Sequence, residues 1–113
     1  MMDTFTNLSS EINQLHADIC SALADPTRIL TLYLLSEHPY TVNELTEKLG
    51  VTQPSTSRHL KILRDRGLVQ ASRRGQAVEY SLRDRRLIDS LDTLRDVLKD
   101  SLAYRASLIA ESV

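Results

Sequence analysis

The chain has 113 residues, a length that suits one domain with a single core rather than two domains. Apolar residues make up 42% of it and charged residues 26%, which is ordinary for a soluble globular protein. No apolar run approaches the ~18 residues of a membrane span, and the first ten residues lack the basic start of a secretory signal. One cysteine excludes an internal disulfide and any site built from several thiolates of one subunit. We therefore expect a single cytoplasmic domain over residues 1–113, with no membrane partner.

The net charge of −1 hides an uneven distribution along the chain. Residues 52–76 carry six arginines and lysines against Asp65 alone, a local charge of +5. Residues 1–51 carry −5, and residues 77–113 carry −1. Concentrated positive charge is typical of a surface that binds nucleic acid, although charge alone is equally consistent with a solvated face.

Two helices are predicted in the first third of the chain. The first has an apolar stripe with spacings of three and four residues, formed by Phe5, Leu8, Ile12, Leu15 and Ile19. This stripe either packs on its own domain or faces a partner. The second helix begins with Asp25 as N-cap and Pro26 in its first turn, and it ends near Glu37 because His38 precedes Pro39. Residues 29–34 are apolar almost all round, which predicts a central position.

A helix-turn-helix is predicted over about residues 41–67. Thr41 and Glu44 have the spacing of a capping box, and Gly50 suits a left-handed helix end. Thr52 then caps a further helix, which ends at Gly67. A wing follows over about residues 69–82, with two alternating strands joined at Gly75-Gln76. The predicted fold is therefore mainly α with a two-stranded β-wing, a winged helix-turn-helix, which is an arrangement that reads duplex DNA.

A long last helix is predicted over about residues 84–110. Its apolar stripe is formed by Leu87, Leu91, Leu94, Leu98 and Leu102. A stripe of this length exceeds what one small domain can cover. Together with the first helix it indicates a two-fold dimer interface, which would place two reading helices on one side of the DNA.

Three segments of the sequence resemble one family of regulators. They are HADICSALADPTRILTLYLL, TVNELTEKLGVTQPSTSRHLKILRDRGLV and RRGQAVEYSL. They are similar to the arsenic-repressor family (ArsR/SmtB type) of small bacterial winged-helix proteins, over roughly residues 12–105. The most specific parts are LADPTR and VTQPSTSRHLKILRDRGLV. The resemblance implies a homodimer with element order α-α-α-α-β-β-α that dimerises through the first and last helices. It also implies a repressor that releases its operator when an inducer binds.

The resemblance assigns DNA recognition to the fourth helix and the wing. The positions that would enter the major groove are Gln53, Ser55, Thr56, Ser57 and Arg58. An amide can bond adenine and a guanidinium can bond guanine through two hydrogen bonds, and small hydroxyls allow a close approach. Many relatives have His where this chain has Arg58, so its base preference is expected to differ. His59 and Lys61 are expected to contact the phosphates or the groove wall. Arg73 and Arg74 in the wing are expected to contact the DNA backbone or an adjacent minor groove.

The two metal sites usual in the family lack their ligands in this sequence. The thiolate type needs Cys-x-Cys in the third helix, where this chain reads TVNEL. The zinc or nickel type needs an Asp-x-His pair and a His-x-x-Glu pair in the last helix. Alignment places Asp84, Arg86, Val97 and Asp100 at those four positions. Arginine is permanently protonated and cannot bind a metal, so we expect no cofactor at either site.

His16 and Cys20 are the remaining candidates for a sensor, at an i, i+4 spacing on the first helix. In a two-fold dimer, two such pairs would offer two imidazoles and two thiolates to a soft metal. Cys20 could instead respond to oxidants or electrophiles, or cross-link two subunits. The simplest alternative is that Cys20 is a small apolar residue of the core.

Catalysis is not expected, because no constellation of residues supports it. Ser57 and His59 are two positions apart on a helix, so with Asp65 they cannot form a triad. The three glycines do not form a phosphate-binding loop. The competing hypothesis to a DNA-binding regulator is a winged-helix module for protein–protein contact without operator binding. The concentration of cations in residues 52–76 favours DNA.

Overall fold

The computed structural model describes residues 3–112 as five α-helices and a three-stranded antiparallel sheet. The helices are α1 (Thr4–Leu15), α2 (Pro26–Glu37), α3 (Val42–Leu49), α4 (Gln53–Asp65) and α5 (Arg86–Glu111). The strands are β1 (Tyr40–Thr41), β2 (Val69–Arg74) and β3 (Ala77–Leu82). The predicted winged helix-turn-helix and its element order are confirmed, with β1 added between α2 and α3.

The strand β1 adds a short third strand to the predicted two-stranded wing, which is formed by β2 and β3. The sheet order is β1-β3-β2, and Tyr40 pairs with Tyr80 while Thr41 pairs with Glu79. A strand of two residues, the second of which is also the cap of α3, is too short to show the alternation by which strands are predicted. Tyr40 is only 4% exposed, so β1 fixes the start of the helix-turn-helix to the base of the wing.

The predicted helix ends are present. The Asp25 carboxylate accepts a hydrogen bond from the Thr27 N–H at 2.8 Å and caps α2. The capping box of α3 is complete, with the Thr41 N–H donating to Glu44 at 2.9 Å and the Glu44 N–H donating to Thr41 at 3.2 Å. The bond from the Thr41 N–H lowers the pKa of the Glu44 carboxyl. Gly50 ends α3 at φ 67°, a conformation that costs glycine little.

The core lies between α2, α3, α4 and the sheet. Its largest fully buried apolar side chains are Leu32, Leu45, Leu60, Leu63 and Val69. The prediction that α2 is covered all round is wrong at Leu30, which is 56% exposed. The base of α5 joins this core through Ile88 and Leu91.

Polar contacts also attach α5 to α2. The Tyr33 hydroxyl donates to the Asp92 carboxylate at 2.7 Å, and the Arg95 guanidinium lies 5.2 Å from the centre of the Tyr33 ring. Burial and the bond to Asp92 raise the pKa of Tyr33. The first three turns of α5 are therefore held on the body, whereas the following turns extend beyond it.

The helix α1 ends earlier than its apolar stripe predicted. It stops at Leu15 and continues as a π-helical turn over His16–Cys20 and a 3₁₀ turn over Ala22–Ala24. The widened turn and the short 3₁₀ turn separate α1 from α2. No residue of α1 is buried. Packing of the predicted stripe on its own domain is thus restricted to Ile19, which contacts the core.

The two outer helices, α1 and α5, make the molecule elongated. Its radius of gyration is 18.0 Å, whereas a compact domain of this length would have about 13 Å. The exposed apolar residues on these helices include Phe5, Leu8, Ile12, Leu94, Val97, Leu98 and Leu102. Within residues 3–112, no helix combines the length and apolar character required to cross a membrane.

Candidate nucleic-acid interface

The helix α4 is held with one face inward by apolar packing and by hydroxyl contacts. Leu60 and Leu63 are 1% and 0% exposed. On the side facing α3, the Thr46 hydroxyl donates to the Thr56 hydroxyl at 2.8 Å, and the Thr56 hydroxyl donates to the Thr52 carbonyl at 3.2 Å. These contacts fix the rotation of α4 about its axis and so determine which side chains point outward.

The outward face of α4 displays the predicted polar and cationic side chains. Gln53, Ser57 and Lys61 are exposed and follow one another at i, i+4 spacing, with Arg58 exposed beside them. Ser55 is half-buried, and its N–H donates to the cap hydroxyl of Thr52 at 3.3 Å. The ammonium group of Lys61 lies 2.9 Å from Asp65, an exposed ion pair of small energy that a phosphate can replace.

Thr56 is a correction to the predicted DNA-binding set. Its side chain is 1% exposed, and its hydroxyl is used by Thr46 and by the Thr52 carbonyl. The prediction that this side chain enters the groove is wrong, because it packs between α3 and α4. Its position in the sequence, among exposed serines, did not reveal that the helix rotates it inward.

His59 lies at the edge of the face and has an unexpected neighbour. Its ring is half-buried, and Nδ1 is 3.3 Å from Nη1 of Arg28 at the start of α2. Arg28 lies 31 positions away in sequence, so no local pattern could connect the two residues. The sequence shows that Arg28 is a cation within the LADPTR segment, but it does not show that Arg28 contacts His59.

The wing presents two exposed arginines at its tip. Arg73 and Arg74 end β2, and Gly75 makes the tight turn at φ 61°. Nε of Arg73 donates to the Gly75 carbonyl at 3.4 Å, and Nε of Arg74 lies 3.5 Å from the Glu79 carboxylate. The Arg74 side chain is 82% exposed, so most of its donors remain available to a phosphate.

A groove joins the helix-turn-helix to the wing. Its polar lining residues include Asn43 at the start of α3, Gln53 at the start of α4 and Gln76 in the wing turn. Asn43 and Gln76 were not predicted as site residues. Since three separate elements form the groove, only the folded arrangement reveals it.

Comparison with known proteins places this site in a family. The family model described as "Bacterial regulatory protein, arsR family" matches residues 25–71. The regulator YgaV of Escherichia coli is 35% identical over 82 residues, which cover 72% of this chain and 83% of that protein. The chain belongs to the arsR family of bacterial regulatory proteins.

Other relatives of this arsR-family chain agree in sequence and in structure. The regulator NmtR of Mycobacterium tuberculosis is 38% identical over 67% of this chain and 63% of its own length. A probable mercury resistance operon repressor of Streptomyces lividans is 39% identical over 73% and 66%. The match thus spans less than two thirds of each of these two relatives. The crystal structure of M. tuberculosis Rv0081 superposes with a TM-score of 0.71 at 31% identity, covering 93% of this chain and 99% of that one.

Asp84, which aligns with a metal ligand of the arsR family, forms an ion pair with Arg86 at the start of α5. Arg86 donates to Asp84 from Nε at 3.1 Å and from Nη2 at 2.7 Å, and its backbone N–H donates at 2.9 Å. The side-chain bonds from Arg86, and then its N–H, lower the pKa of Asp84 to about 2. Arg86 thus pairs with the carboxylate that aligns with a family metal ligand, and its own guanidinium has no lone pair to offer a metal.

The possible sensor pair His16 and Cys20 lies on the π-helical turn rather than on a regular α-helix. Both residues are exposed. The interpretation of Cys20 as a core residue is therefore wrong for a single copy of the chain. Among residues 3–112, no three His, Cys, Asp or Glu side chains are grouped so as to hold a metal ion within one copy.

Proposed function

We propose that this protein is a homodimeric repressor that binds operator DNA sequence-specifically and releases it in response to an inducer. The observation that carries the proposal is the outward face of α4, where Gln53, Ser57 and Arg58 are exposed on a helix locked by its buried side. Amide and guanidinium groups read base edges in the major groove. Arg73 and Arg74 would contact the backbone at the wing.

The dimer is supported by the apolar surface of the outer helices. Leu94, Leu98 and Leu102 are between 52% and 62% exposed on α5, and the whole of α1 is uncovered. Burying a leucine side chain contributes about 1.5–3 kcal/mol, so a second copy covering these residues would form a stable interface. A two-fold axis through α5 would then present two copies of α4 to one duplex.

The chemistry of α5 supports an inducer other than a metal at the family's α5 position. Asp84 is held by Arg86, and neither Arg86 nor Val97 can act as a ligand. We propose that both usual family metal sites are lost and that the protein acts in the cytoplasm without catalysis. If so, zinc should not release the operator at concentrations that leave the protein soluble and dimeric.

Fluorescence anisotropy tests the proposal with the duplex upstream of the protein's own coding sequence and a scrambled duplex. Selective binding that weakens with salt is expected. A slope of log affinity against log salt near −5 would follow if Lys61, Arg73 and Arg74 of both copies contact phosphates, at about 0.9 per contact. Lys99→Ala, which removes an exposed cation about 100° around α5 from Leu98, serves as the control and should leave selectivity unchanged.

The outcomes separate the two candidate functions. If the protein does not bind the upstream duplex selectively, a duplex selected from a random library by the immobilised protein replaces it in the assay. Failure to enrich any sequence, together with equal binding of all duplexes at low salt, would contradict the proposed function. That result would favour the protein–protein module.

A further inference from the structure

Arg28 lies at a junction of three parts of the molecule. It is in the first turn of α2, and its side chain is only 14% exposed. Its Nε donates to the Ala22 carbonyl at 2.7 Å and its Nη2 to the Ser21 carbonyl at 3.4 Å. Its Nη1 lies 3.8 Å from the Asp25 carboxylate and 3.3 Å from Nδ1 of His59. One guanidinium thus connects the α1–α2 junction, the cap of α2 and the recognition helix α4.

The contact with His59 determines which ring nitrogen carries the proton. A guanidinium has five N–H donors, no acceptor, and a permanent charge. Nδ1 of His59 must therefore accept the hydrogen bond, which requires a lone pair on that nitrogen. The imidazole is then neutral, with its proton on Nε2. Nδ1 is engaged by the protein, so Nε2–H is the ring donor left for DNA.

The position of His59 makes this donor useful. The ring is half-buried between the exposed Arg58 and the buried Leu60, at the edge of the outward face of α4. A side chain at this edge faces the phosphates that flank the groove, and phosphate contacts fix the register of a protein on DNA. A half-buried ring held by a nearly buried guanidinium loses little conformational entropy when it binds.

We infer that Arg28 is a positioning residue for DNA binding, which orients His59 and fixes its tautomer so that Nε2–H donates to a backbone phosphate. This inference rests on the proposed function. Arg28 itself does not contact the DNA. Its donors to Ser21 and Ala22 hold the guanidinium in place, so the geometry of the α1–α2 junction also determines the orientation of the ring.

Operator affinity measured in a double-mutant cycle tests the role. Arg28→Lys keeps the charge but loses the planar set of donors, so it should weaken selective binding about 10- to 150-fold, the range of a hydrogen bond to a charged group. His59→Ala should weaken it similarly. The double variant should bind within about twofold of His59→Ala. Wild-type affinity for a folded Arg28→Lys, or effects that multiply in the double variant, would overturn the inference.

A second variant protects the test against misfolding. His59→Asn keeps an acceptor near the position of Nδ1 but has no atom at Nε2. It should melt within a few degrees of the unmodified protein, as followed by circular dichroism, yet bind the operator as weakly as His59→Ala. Binding equal to that of the unmodified protein would overturn the inference.

The ring tautomer gives a readout that a purely structural role would not produce. Nitrogen-15 NMR of labelled protein without DNA, at mildly alkaline pH, should show Nδ1 of His59 as the unprotonated nitrogen and Nε2 as the protonated one. Arg28→Lys should produce a mixture of tautomers. A proton on Nδ1 in the unmodified protein would overturn the inference. If the unmodified protein selects no duplex while the NMR result is as expected, the proposed function fails and the Arg28–His59 contact stands.

Discussion

The helix-turn-helix body and the outer helices differ in how much of their apolar surface is buried within one copy of the chain. In the body, Leu32, Leu45 and Leu63 are fully buried. On the outer helices, α1 buries no residue and α5 buries only Ile88 and Leu91 near its start. Both regions have apolar stripes of helical period. An apolar stripe therefore predicts that a helix is packed against something, but it does not tell whether the packing partner is the same chain or a second copy.

Burial of apolar surface therefore contributes to folding in one region and to association in the other. Burial within the body stabilises the fold of one copy, whereas burial on α1 and on the outer part of α5 would stabilise only an assembly. Substitutions in the body should therefore change unfolding, and substitutions on the outer helices should change association. Substitutions on the outward face of α4 should change only DNA binding.

The largest effect is expected from a cavity in the body. Leu63→Ala removes a side chain that is 0% exposed and should lower the free energy of unfolding by about 2–5 kcal/mol. Urea denaturation followed by circular dichroism measures it. Ile62→Ala is the matched control, because the Ile62 side chain is 36% exposed and its truncation should lower the free energy of unfolding much less. Equal costs would contradict the burial of α4 described above.

The next effect concerns the outer part of α5. Leu98→Glu places a charge in the proposed interface and should raise the dimer dissociation constant at least tenfold, which corresponds to about 1.4 kcal/mol. Sedimentation velocity over a concentration series measures it. Thr93→Glu adds the same charge about 140° around the helix and should leave the dimer intact. A Leu98→Glu protein that stays dimeric would place the interface elsewhere.

Arg58→Ala tests the outward face of α4 separately from both regions. Loss of the guanidinium should cost about 1–3 kcal/mol at one base position if Arg58 reads a base. Affinities for single-base operator variants measure this loss. Arg64→Ala, an exposed cation on another side of α4, is the control. Uniform weakening on every sequence would instead make Arg58 a phosphate contact.

Thr56→Val tests the correction within the recognition helix. The variant loses the hydrogen bonds to Thr46 and to the Thr52 carbonyl, so stability should fall by about 1 kcal/mol. Operator affinity should be unchanged, because the side chain is buried. Thermal denaturation and anisotropy measure the two quantities. A loss of affinity at unchanged stability would restore Thr56 to the DNA-binding set.

The smallest effect is expected at the start of α5. The pKa of Asp84 is about 2 in the folded protein against an ordinary value of 3.8. A carboxyl with a lowered folded pKa stabilises the fold above its unfolded pKa, and this contribution is lost as the pH falls towards the folded pKa. The unmodified protein should therefore be slightly more stable than Asp84→Asn above about pH 4, with the difference vanishing near pH 2. A difference that grows below pH 4 in acid denaturation would contradict the ion pair with Arg86.

The sequence predicted the features that depend on local chemistry. The caps at Asp25 and Thr41, the glycine at position 50 and the hairpin turn at Gly75 each follow from neighbouring residues, and each is present. The period of the apolar residues also predicted the inward side of α4, with Leu60 and Leu63 buried.

The features that were missed depend on distant residues. The strand β1 exists because β3 pairs with it, and Thr56 is buried because Thr46 on α3 accommodates its hydroxyl. The Arg28–His59 contact and the groove lined by Asn43 and Gln76 join elements that only folding brings together. A single sequence contains no pattern that pairs such positions.

The number of protein chains bound to one operator duplex distinguishes a dimeric reader from a monomeric one. We propose that one copy of the chain buries the core of its own helix-turn-helix, whereas the apolar faces of α1 and α5 are buried only by a second copy. Sedimentation equilibrium of the protein with a labelled operator duplex, below and above saturation, should show two chains per duplex. For Leu98→Glu, half-saturation should shift to higher protein concentration. One chain per duplex at full affinity, unaffected by Leu98→Glu, would contradict the account.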